Sequence, residues 1–210
     1  MSGTDITLPI DVSNCQQWGE VMGRWEPNSR GRLQEAALAL FAERGFDQTT
    51  AAEIAARAGL TERTFFRHFA DKREVLFGGA ALLEERILAG VIGAPPDAGP
   101  LEAVSEGLES AARMLGESRR DLALQRHQVI AANPELHERE LAKLAHYATA
   151  ITTALRDRGV SEQQANLAAE TGMTVMRLAM QRWASGSDDR DLADIMRDCV
   201  ADLRALTTSG

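Results

Sequence analysis

The stretch of sequence that decides the fold is residues 52–69, AEIAARAGLTERTFFRHF. Apolar residues such as Ile54 and Phe65 recur at helical spacing on either side of Gly59, a residue that can make a tight turn. Thr61 follows that turn and is a suitable N-cap for a second short helix. The stretch therefore predicts two short helices joined by a tight turn, which is the arrangement of a helix-turn-helix.

A longer helix is predicted just before this motif, over about residues 30–44. Its apolar residues recur at the spacing i, i+3, i+4, i+7 and i+8 and form one stripe, which consists of Leu33, Ala36, Ala37, Leu40 and Phe41. Ser29 is a candidate N-cap, and Gly45 is a candidate for the residue that ends the helix. Thr50 and Glu53 match a capping box at the start of the next helix. Since helices of about eight residues are not stable alone, the short helices are expected to share one small core.

The residues after the motif predict a larger helical body. Residues 71–74 resemble a helix start, so a continuous fourth helix is expected from about residue 71 to Ala89, joining head and body. Residues 93–100 are rich in glycine and proline and predict a loop. Five further helices are predicted at about 101–116, 119–131, 134–158, 161–185 and 188–207, with a second capping box at Ser161–Gln164.

The predicted fold class is all-α, with about nine helices. A three-helix head that contains the helix-turn-helix occupies residues 27–77, and a larger helical body occupies residues 78–210. Residues 1–26 show no sustained periodicity and are predicted to be a mobile N-terminal arm. The composition agrees with a helical fold, because Ala, Leu, Arg and Glu dominate and these residues lose little on entering a helix.

The sequence composition also limits which cellular compartment and which classes of binding partner are expected. No apolar run approaches the length of a membrane span and the N-terminus lacks a signal pattern, so a cytoplasmic protein with no membrane partner is expected. Cys15 and Cys199 show neither pairing nor metal spacing and are expected to be free thiols. The net charge of −8 is unevenly spread, with +1 over residues 24–77 and −6 over residues 78–210. That asymmetry permits a nucleic-acid partner for the N-terminal part without establishing one.

The second helix of the motif is expected to present a polar outer face, made of Thr61, Glu62, Arg63, Thr64, Arg67 and His68. A short helix with hydrogen-bond donors near its N-terminus fits the major groove of B-DNA, which is about 12 Å wide. Any two short helices joined by a glycine share this geometry, so the pattern alone leaves an ordinary structural role open.

Residues 30–77 resemble the N-terminal domain of the TetR (tetracycline repressor) family of transcriptional regulators. The matching residues follow the family's order over the whole stretch and are Phe41, Gly45, Thr49-Thr50, Ile54-Ala55, Ala58-Gly59, Thr61, Phe65-Phe66, His68-Phe69, Lys72 and Leu76. The resemblance implies a DNA-binding regulator, most simply a repressor that leaves a palindromic double-stranded operator when an effector binds. Residues 78–210 carry no motif that matches at this level.

The resemblance also assigns roles to individual residues. Three of them fall where the family contacts DNA phosphates, namely Thr50, His68 and Lys72. Three others fall where the family reads base edges, namely Thr61, Arg63 and Thr64. Phe66 departs from the family, which commonly has a tyrosine there whose hydroxyl reaches a phosphate, and Arg67 is a candidate substitute for that contact. Arg63 suggests a bidentate contact to guanine, while a solvated Arg63 or one paired with Glu62 stays open.

For the body, the resemblance implies a homodimer through the last two helices and a ligand pocket among the helices. The predicted helix 161–185 is apolar on more than one side, as expected for a helix buried both in its own subunit and against a partner, although an ordinary core helix is the alternative. The candidate residues for binding a small apolar or amphipathic effector are Met114, Leu122, Arg126, His127, Ile130, Tyr147, Ile151, Met176 and Met180. Each of them fits an ordinary core position as well.

Two other classes of function compete with this prediction. A helical enzyme would need metal-ligating or nucleophilic patterns, but His127, His137 and His146 do not share one helical turn, and there is no His-Glu-x-x-His motif or glycine-rich phosphate loop. No catalytic residue, cofactor or metal site is therefore predicted. A regulator that acts mainly through protein contacts is the other alternative, which Phe66 and the acidic charge balance favour.

Overall fold

The computed structural model describes residues 28–115, 120–185 and 190–208, and within these ranges every regular element is helical. The predicted arm at residues 1–26 and the predicted helix end at Gly116 lie outside the described residues. The elements are α1 (Ser29–Arg44), α2 (Ala51–Arg57), α3 (Glu62–His68), a 3-10 turn (Glu74–Phe77), α4 (Ala80–Gly93), α5 (Pro100–Leu115), α6 (Arg120–Ala131), α7 (Pro134–Asp157), α8 (Glu162–Ala184) and α9 (Leu192–Thr208). The predicted all-α class is confirmed.

Helix α1 forms over nearly the range that its apolar stripe predicts, and all five residues of the stripe are buried. Its N-cap is Asn28 and not Ser29, because the Asn28 side chain accepts a hydrogen bond from the Gly31 amide at 3.0 Å. Gly45 ends the helix with φ at +87°, in the left-handed region that a residue without Cβ enters most easily. The buried stripe of α1 thus forms part of the core against which α2 and α3 pack.

The predicted helix-turn-helix forms between α2 and α3. The capping box at the start of α2 is complete, since Thr50 Oγ1 accepts from the Glu53 amide at 3.2 Å and the Glu53 carboxylate accepts from the Thr50 amide at 2.9 Å. Gly59 makes the turn with φ at +67°, and Thr61 caps α3. Phe65 is fully buried, so its ring fixes α3 against the rest of the head.

The link between head and body differs from the prediction of an unbroken helix over about 71–89. The 3-10 turn ends at Phe77, and α4 begins only at Ala80, after Gly78 and Gly79. Two consecutive glycines disfavour a helix, and the last three residues of the 3-10 turn are all buried, which a helix with one apolar face cannot achieve. Glycine at position 78 also lets the Phe69 ring pack closely against the backbone, because a Cβ there would lie 2.8 Å from that ring.

Helix α5 lies at the centre of the body and packs against α4, α8 and α9. Where α4 and α5 cross, a Cβ on Gly90 would lie 2.5 Å from the Gly107 Cα, and a Cβ on Gly107 would lie 2.5 Å from the carbonyl oxygen of Ile87. Where α5 and α8 cross, the side chain of Val104 fills the space beside Gly172. The backbones of α4 and α5 therefore come close to contact, whereas α5 and α8 pack through the Val104 side chain.

The tip of the hairpin formed by α6 and α7 packs into the core of the head. Val129, Ile130 and Leu136 are buried in the same cluster as the apolar residues of α1, α2 and α3. A second cluster, which includes Leu108, Ile151 and Trp183, forms the core of the body. The head core is therefore completed by residues that are distant from it in sequence.

The second predicted capping box, at the start of α8, does not form. Ser161 Oγ donates to the side-chain oxygen of Gln164 at 2.9 Å, and no backbone amide donates to the Ser161 hydroxyl. The two side chains satisfy each other and leave the helix N-terminus uncapped by them. None of the helices in the described ranges combines the length and the apolar character that a membrane span requires.

Candidate nucleic-acid interface

The outer face of α3 carries four exposed side chains, those of Glu62, Arg63, Phe66 and Arg67. Within the described part of the chain, neither Arg63 nor Arg67 takes part in a hydrogen bond or an ion pair, so Arg63 is not paired with Glu62. Each guanidinium therefore has all its donors available, and a guanidinium can bind the acceptor pairs of guanine or phosphate in a bidentate manner.

The opposite face of α3 holds these side chains in place. Phe65 is 0% exposed, and its ring lies 5.6 Å from the ring of Phe69, which is also buried. Phe66 is 52% exposed, and its ring meets that of Phe65 edge to face at 5.4 Å and 84°. A short helix with one such anchor presents the neighbouring side chains in a fixed orientation, as groove recognition requires.

The threonines that the resemblance assigns to base recognition are already joined to each other. Thr61 Oγ1 accepts from the Thr64 amide at 3.2 Å, and the two hydroxyl oxygens lie 2.9 Å apart in a shared hydrogen bond. Because only one hydroxyl hydrogen is used in that bond, the pair can still donate one hydrogen to a base. Thr61 is at the same time the N-cap of α3, so a base contact by this pair would involve the start of the helix.

Thr50, which the resemblance assigns to a phosphate, has its donors occupied by Glu53. The Thr50 hydroxyl and the Thr50 amide both donate to the same carboxylate oxygen of Glu53, each at 2.9 Å, and Arg44 pairs with the other oxygen at 3.1 Å. The hydrogen bonds from Thr50, backbone first, together with the charge of Arg44, lower the pKa of Glu53. The carboxylate therefore stays ionised near neutral pH, and a phosphate at Thr50 must compete with it.

Lys72 lies just after α3 and reaches back to the turn between α1 and α2. Its Nζ donates to the carbonyl oxygens of Phe46, Asp47 and Thr49 at 2.9, 3.2 and 3.2 Å. The same ammonium lies 4.3 Å from the centre of the Phe46 ring. All three hydrogens of the ammonium are thus directed at the protein itself.

His68 is half-buried at the end of α3, and its Nε2 is buried without a hydrogen-bond partner among the described residues. Desolvation, followed by the charges of Arg67 and Arg30, lowers the pKa of His68. The ring is therefore neutral at neutral pH in the protein without DNA. A phosphate beside it would favour the protonated form.

The nine residues predicted to bind an effector lie in different parts of the structure. Leu122 and Ile130 belong to the head core or pack against it, whereas Tyr147, Ile151, Met176 and Met180 belong to the body core or pack against it. Met114, Arg126 and His127 are half-buried. Six of the nine predicted residues are therefore divided between the head core and the body core.

Arg126 has a structural role that the sequence did not indicate. Its Nε donates to the Leu76 carbonyl at 2.8 Å, its Nη1 pairs with Glu140 at 3.0 Å, and its guanidinium carbon lies 5.1 Å from the centre of the Phe77 ring. Arg139 of α7 adds a bond to Glu74 at 2.6 Å. Helices α6 and α7 thus hold the 3-10 turn by contacts between residues far apart in sequence, which no local pattern could signal.

Tyr147, another predicted effector residue, is tied to the start of α4. Its hydroxyl donates to the Ala80 carbonyl at 3.3 Å, and burial, with a smaller effect of Glu84, raises its pKa to about 12. Two open grooves are visible on the described surface, one at the turn between α7 and α8 and one between α1 and the end of α2. None of the nine predicted effector residues lines either groove.

A family model described as "Bacterial regulatory proteins, tetR family" matches residues 33–77. These residues span most of α1, then α2, α3 and the 3-10 turn, and they include the exposed face of α3. The N-terminal domain belongs to the TetR family. In this TetR domain, the helices observed in the structure occupy the same residues that resemble the family in sequence.

Part of the chain is also similar to a regulator from Streptomyces glaucescens. The chain is 39% identical over 77 residues to the HTH-type transcriptional regulator TcmR, a match that covers 37% of this chain and 34% of TcmR. The chain therefore matches about a third of the length of that relative.

Solved structures extend the likeness to the whole fold. Thermus thermophilus FadR, a TetR-family transcriptional repressor in complex with lauroyl-CoA, is 27% identical with a TM-score of 0.50, over 83% of this chain and 93% of that chain. The transcriptional regulator FadR from Bacillus subtilis, in complex with stearoyl-CoA, is 19% identical with a TM-score of 0.55, over 82% of this chain and 96% of that chain. A TetR domain followed by a helical body is the architecture they share with this protein.

Proposed function

We propose that this protein is a DNA-binding transcriptional regulator and that α3 is its recognition helix. The observation that carries the proposal is the outer face of α3, where Arg63 and Arg67 have unused donors within the described chain and Phe65 anchors the helix from below. The TetR domain and the regulator TcmR support the same function. In this proposal, Arg63 contacts a guanine edge and Arg67 contacts the phosphate backbone.

The experiment that tests this function is a selection of double-stranded DNA from a random library by the full chain. A DNA-binding regulator enriches a defined sequence, and its affinity for that sequence exceeds its affinity for a scrambled duplex by about a thousandfold or more at physiological salt. A library that remains random after repeated rounds, together with equal affinity for every duplex, would exclude sequence-specific regulation.

We further propose that two copies of the chain pair through α8 and α9. Leu167 and Leu178 on α8 are 69% and 46% exposed, and they lie three helical turns apart on the same face. Leu206 on α9 is 79% exposed. Covering these side chains in a second subunit removes apolar surface from water, and a two-fold dimer presents two copies of α3 about 34–36 Å apart, one turn of DNA, or a multiple of that distance.

The dimer is expected to have a mass in solution of twice the 22.8 kDa of the single chain. Light scattering at micromolar concentration measures it. Leu178→Glu places a charge in the proposed interface and is expected to shift the mass toward the single chain, whereas Leu82→Glu, on the exposed side of α4, is not. A mass of 22.8 kDa for the unaltered protein would rule the dimer out.

The effector is the third part of the proposal. An amphipathic acyl compound is the class to test first, because Thermus thermophilus FadR is in complex with lauroyl-CoA. Helix α5 is in near-backbone contact with α4, and Val104 of α5 fills the space beside Gly172 of α8, so we expect a ligand to gain its space by displacing α6 or α7. Since the α6–α7 tip completes the head core, such a displacement reaches the TetR domain directly. Lauroyl-CoA, with CoA as its control, is the compound to titrate against the protein–DNA complex.

A further inference from the structure

The chain contains 23 lysines and arginines, and only two of them are lysines, Lys72 and Lys143. Both lysines lie over a phenylalanine ring, Lys72 over Phe46 at 4.3 Å and Lys143 over Phe77 at 5.2 Å. An ammonium is compact and carries three donors in a tetrahedral arrangement, whereas a guanidinium is planar. A chain that uses arginine nearly everywhere else thus has lysine at a position where three carbonyl oxygens converge.

The turn between α1 and α2 is built around that convergence. The carbonyl oxygens of Phe46, Asp47 and Thr49 lie within 2.9–3.2 Å of Lys72 Nζ, and they bring three negative dipole ends together. Thr49 is 1% exposed, and its hydroxyl donates to the Gly45 carbonyl at 2.9 Å, so the turn is also fixed from inside. Without a cation, the three converging carbonyls would repel one another and would each need another donor.

We propose that Lys72 is a positioning residue that fastens the α1–α2 turn to the segment after α3, and that its ammonium stays on the three carbonyls when DNA is bound. The Thr49 carbonyl belongs to the peptide bond that leads into Thr50, the N-cap of α2, so the contact sets where α2 begins relative to α3. Only the second part of this inference, that the ammonium stays on the carbonyls when DNA is bound, rests on the proposed DNA-binding function. It replaces the phosphate contact that the family resemblance implies for this lysine.

The direct test is NMR of the full chain labelled with ¹⁵N only in lysine. The two lysines give at most two side-chain ammonium signals, and Lys143→Arg identifies the signal that belongs to Lys72. In the protein without DNA, the Lys72 ammonium is expected to give a sharp, slowly exchanging signal, because all its hydrogens are bonded. A Lys72 signal lost to rapid exchange with water would overturn the proposal, and this result does not depend on DNA binding.

The second half of the test adds the DNA duplex that the protein itself selects. The Lys72 signal is expected to keep its position and to show no ¹⁵N–³¹P coupling across a hydrogen bond. A large shift with such a coupling would assign Lys72 to a phosphate and overturn the inference while leaving the proposed function intact. Failure to select any DNA would instead count against the proposed function alone.

Lys72→Arg separates the two roles by affinity, because it keeps the charge and loses the tetrahedral donor set. A positioning role predicts that this variant binds the selected duplex severalfold more weakly, with the salt dependence of binding unchanged and faster amide exchange at Thr49 and Thr50. A phosphate ligand predicts wild-type affinity, since arginine binds phosphate well. The matched control is Arg67→Met, which is expected to reduce the slope of log affinity against log salt by about 0.9.

Discussion

Phe65→Ala is expected to lower the free energy of unfolding by about 3–5 kcal/mol, the range for truncating a fully buried aromatic side chain. Phe65 is 0% exposed, and its ring contacts both Phe66 and Phe69. Its removal leaves a cavity under α3 that the small head core cannot close. Urea denaturation of the full chain measures the change.

The matched control for this prediction is the adjacent Phe66→Ala. Phe66 is 52% exposed, so its truncation is expected to change stability by about 0.5 kcal/mol or less. The same change is expected to weaken binding to the selected DNA, because Phe66 lies on the outer face of α3. Equal destabilisation by both variants would mean that α3 does not divide into a buried and a DNA-facing side.

Gly107→Val is expected to destabilise the protein by about 3 kcal/mol, the upper end of the range for overpacking a core. A Cβ on Gly107 would lie 2.5 Å from the carbonyl oxygen of Ile87 and 2.9 Å from the side chain of Val91. The first of these atoms belongs to the backbone, so no rotamer change relieves the clash and α4 must move away from α5. Thermal and urea denaturation report the loss.

Gly93→Val is the control, because Gly93 lies at the end of α4 with open space around its Cα. Valine and glycine are both poor helix formers, so this variant is expected to change stability by about 0.5 kcal/mol or less. The difference between the two variants isolates the close approach of α4 and α5. A small effect at Gly107 would show that the two helices separate easily.

The sequence predicted the head well, since its signals are local. The stripe on α1, the capping box at Thr50 and the turn at Gly59 each depend on residues that are close together in sequence. The prediction failed where a local signal was overridden by packing. Asp71 does accept the amides of Arg73 and Glu74, as a helix start would, but the buried 3-10 turn and the glycines after it prevent continuation.

The candidate site was only partly predictable. The exposed positions of α3 follow from the spacing of the buried ones, so Arg63 and Arg67 were placed correctly on the outer face. The bonds that occupy Lys72 join residues 23 to 26 positions apart, and those of Arg126 to the 3-10 turn span 50 positions. Such contacts depend on the packed fold, and a single sequence carries no periodicity that indicates them.

The measurement that tests the central claim most directly compares Arg63→Ala with Arg86→Ala, a change of an exposed arginine on α4. Both variants are titrated with the selected duplex and with duplexes altered at each base pair of a half-site. If α3 reads the major groove, Arg63→Ala costs about 1–3 kcal/mol on the selected duplex and relaxes the preference at one position per half-site, while Arg86→Ala behaves as the unaltered protein. An Arg63→Ala variant that keeps both the affinity and the full base preference would contradict the assignment of α3 as the recognition helix.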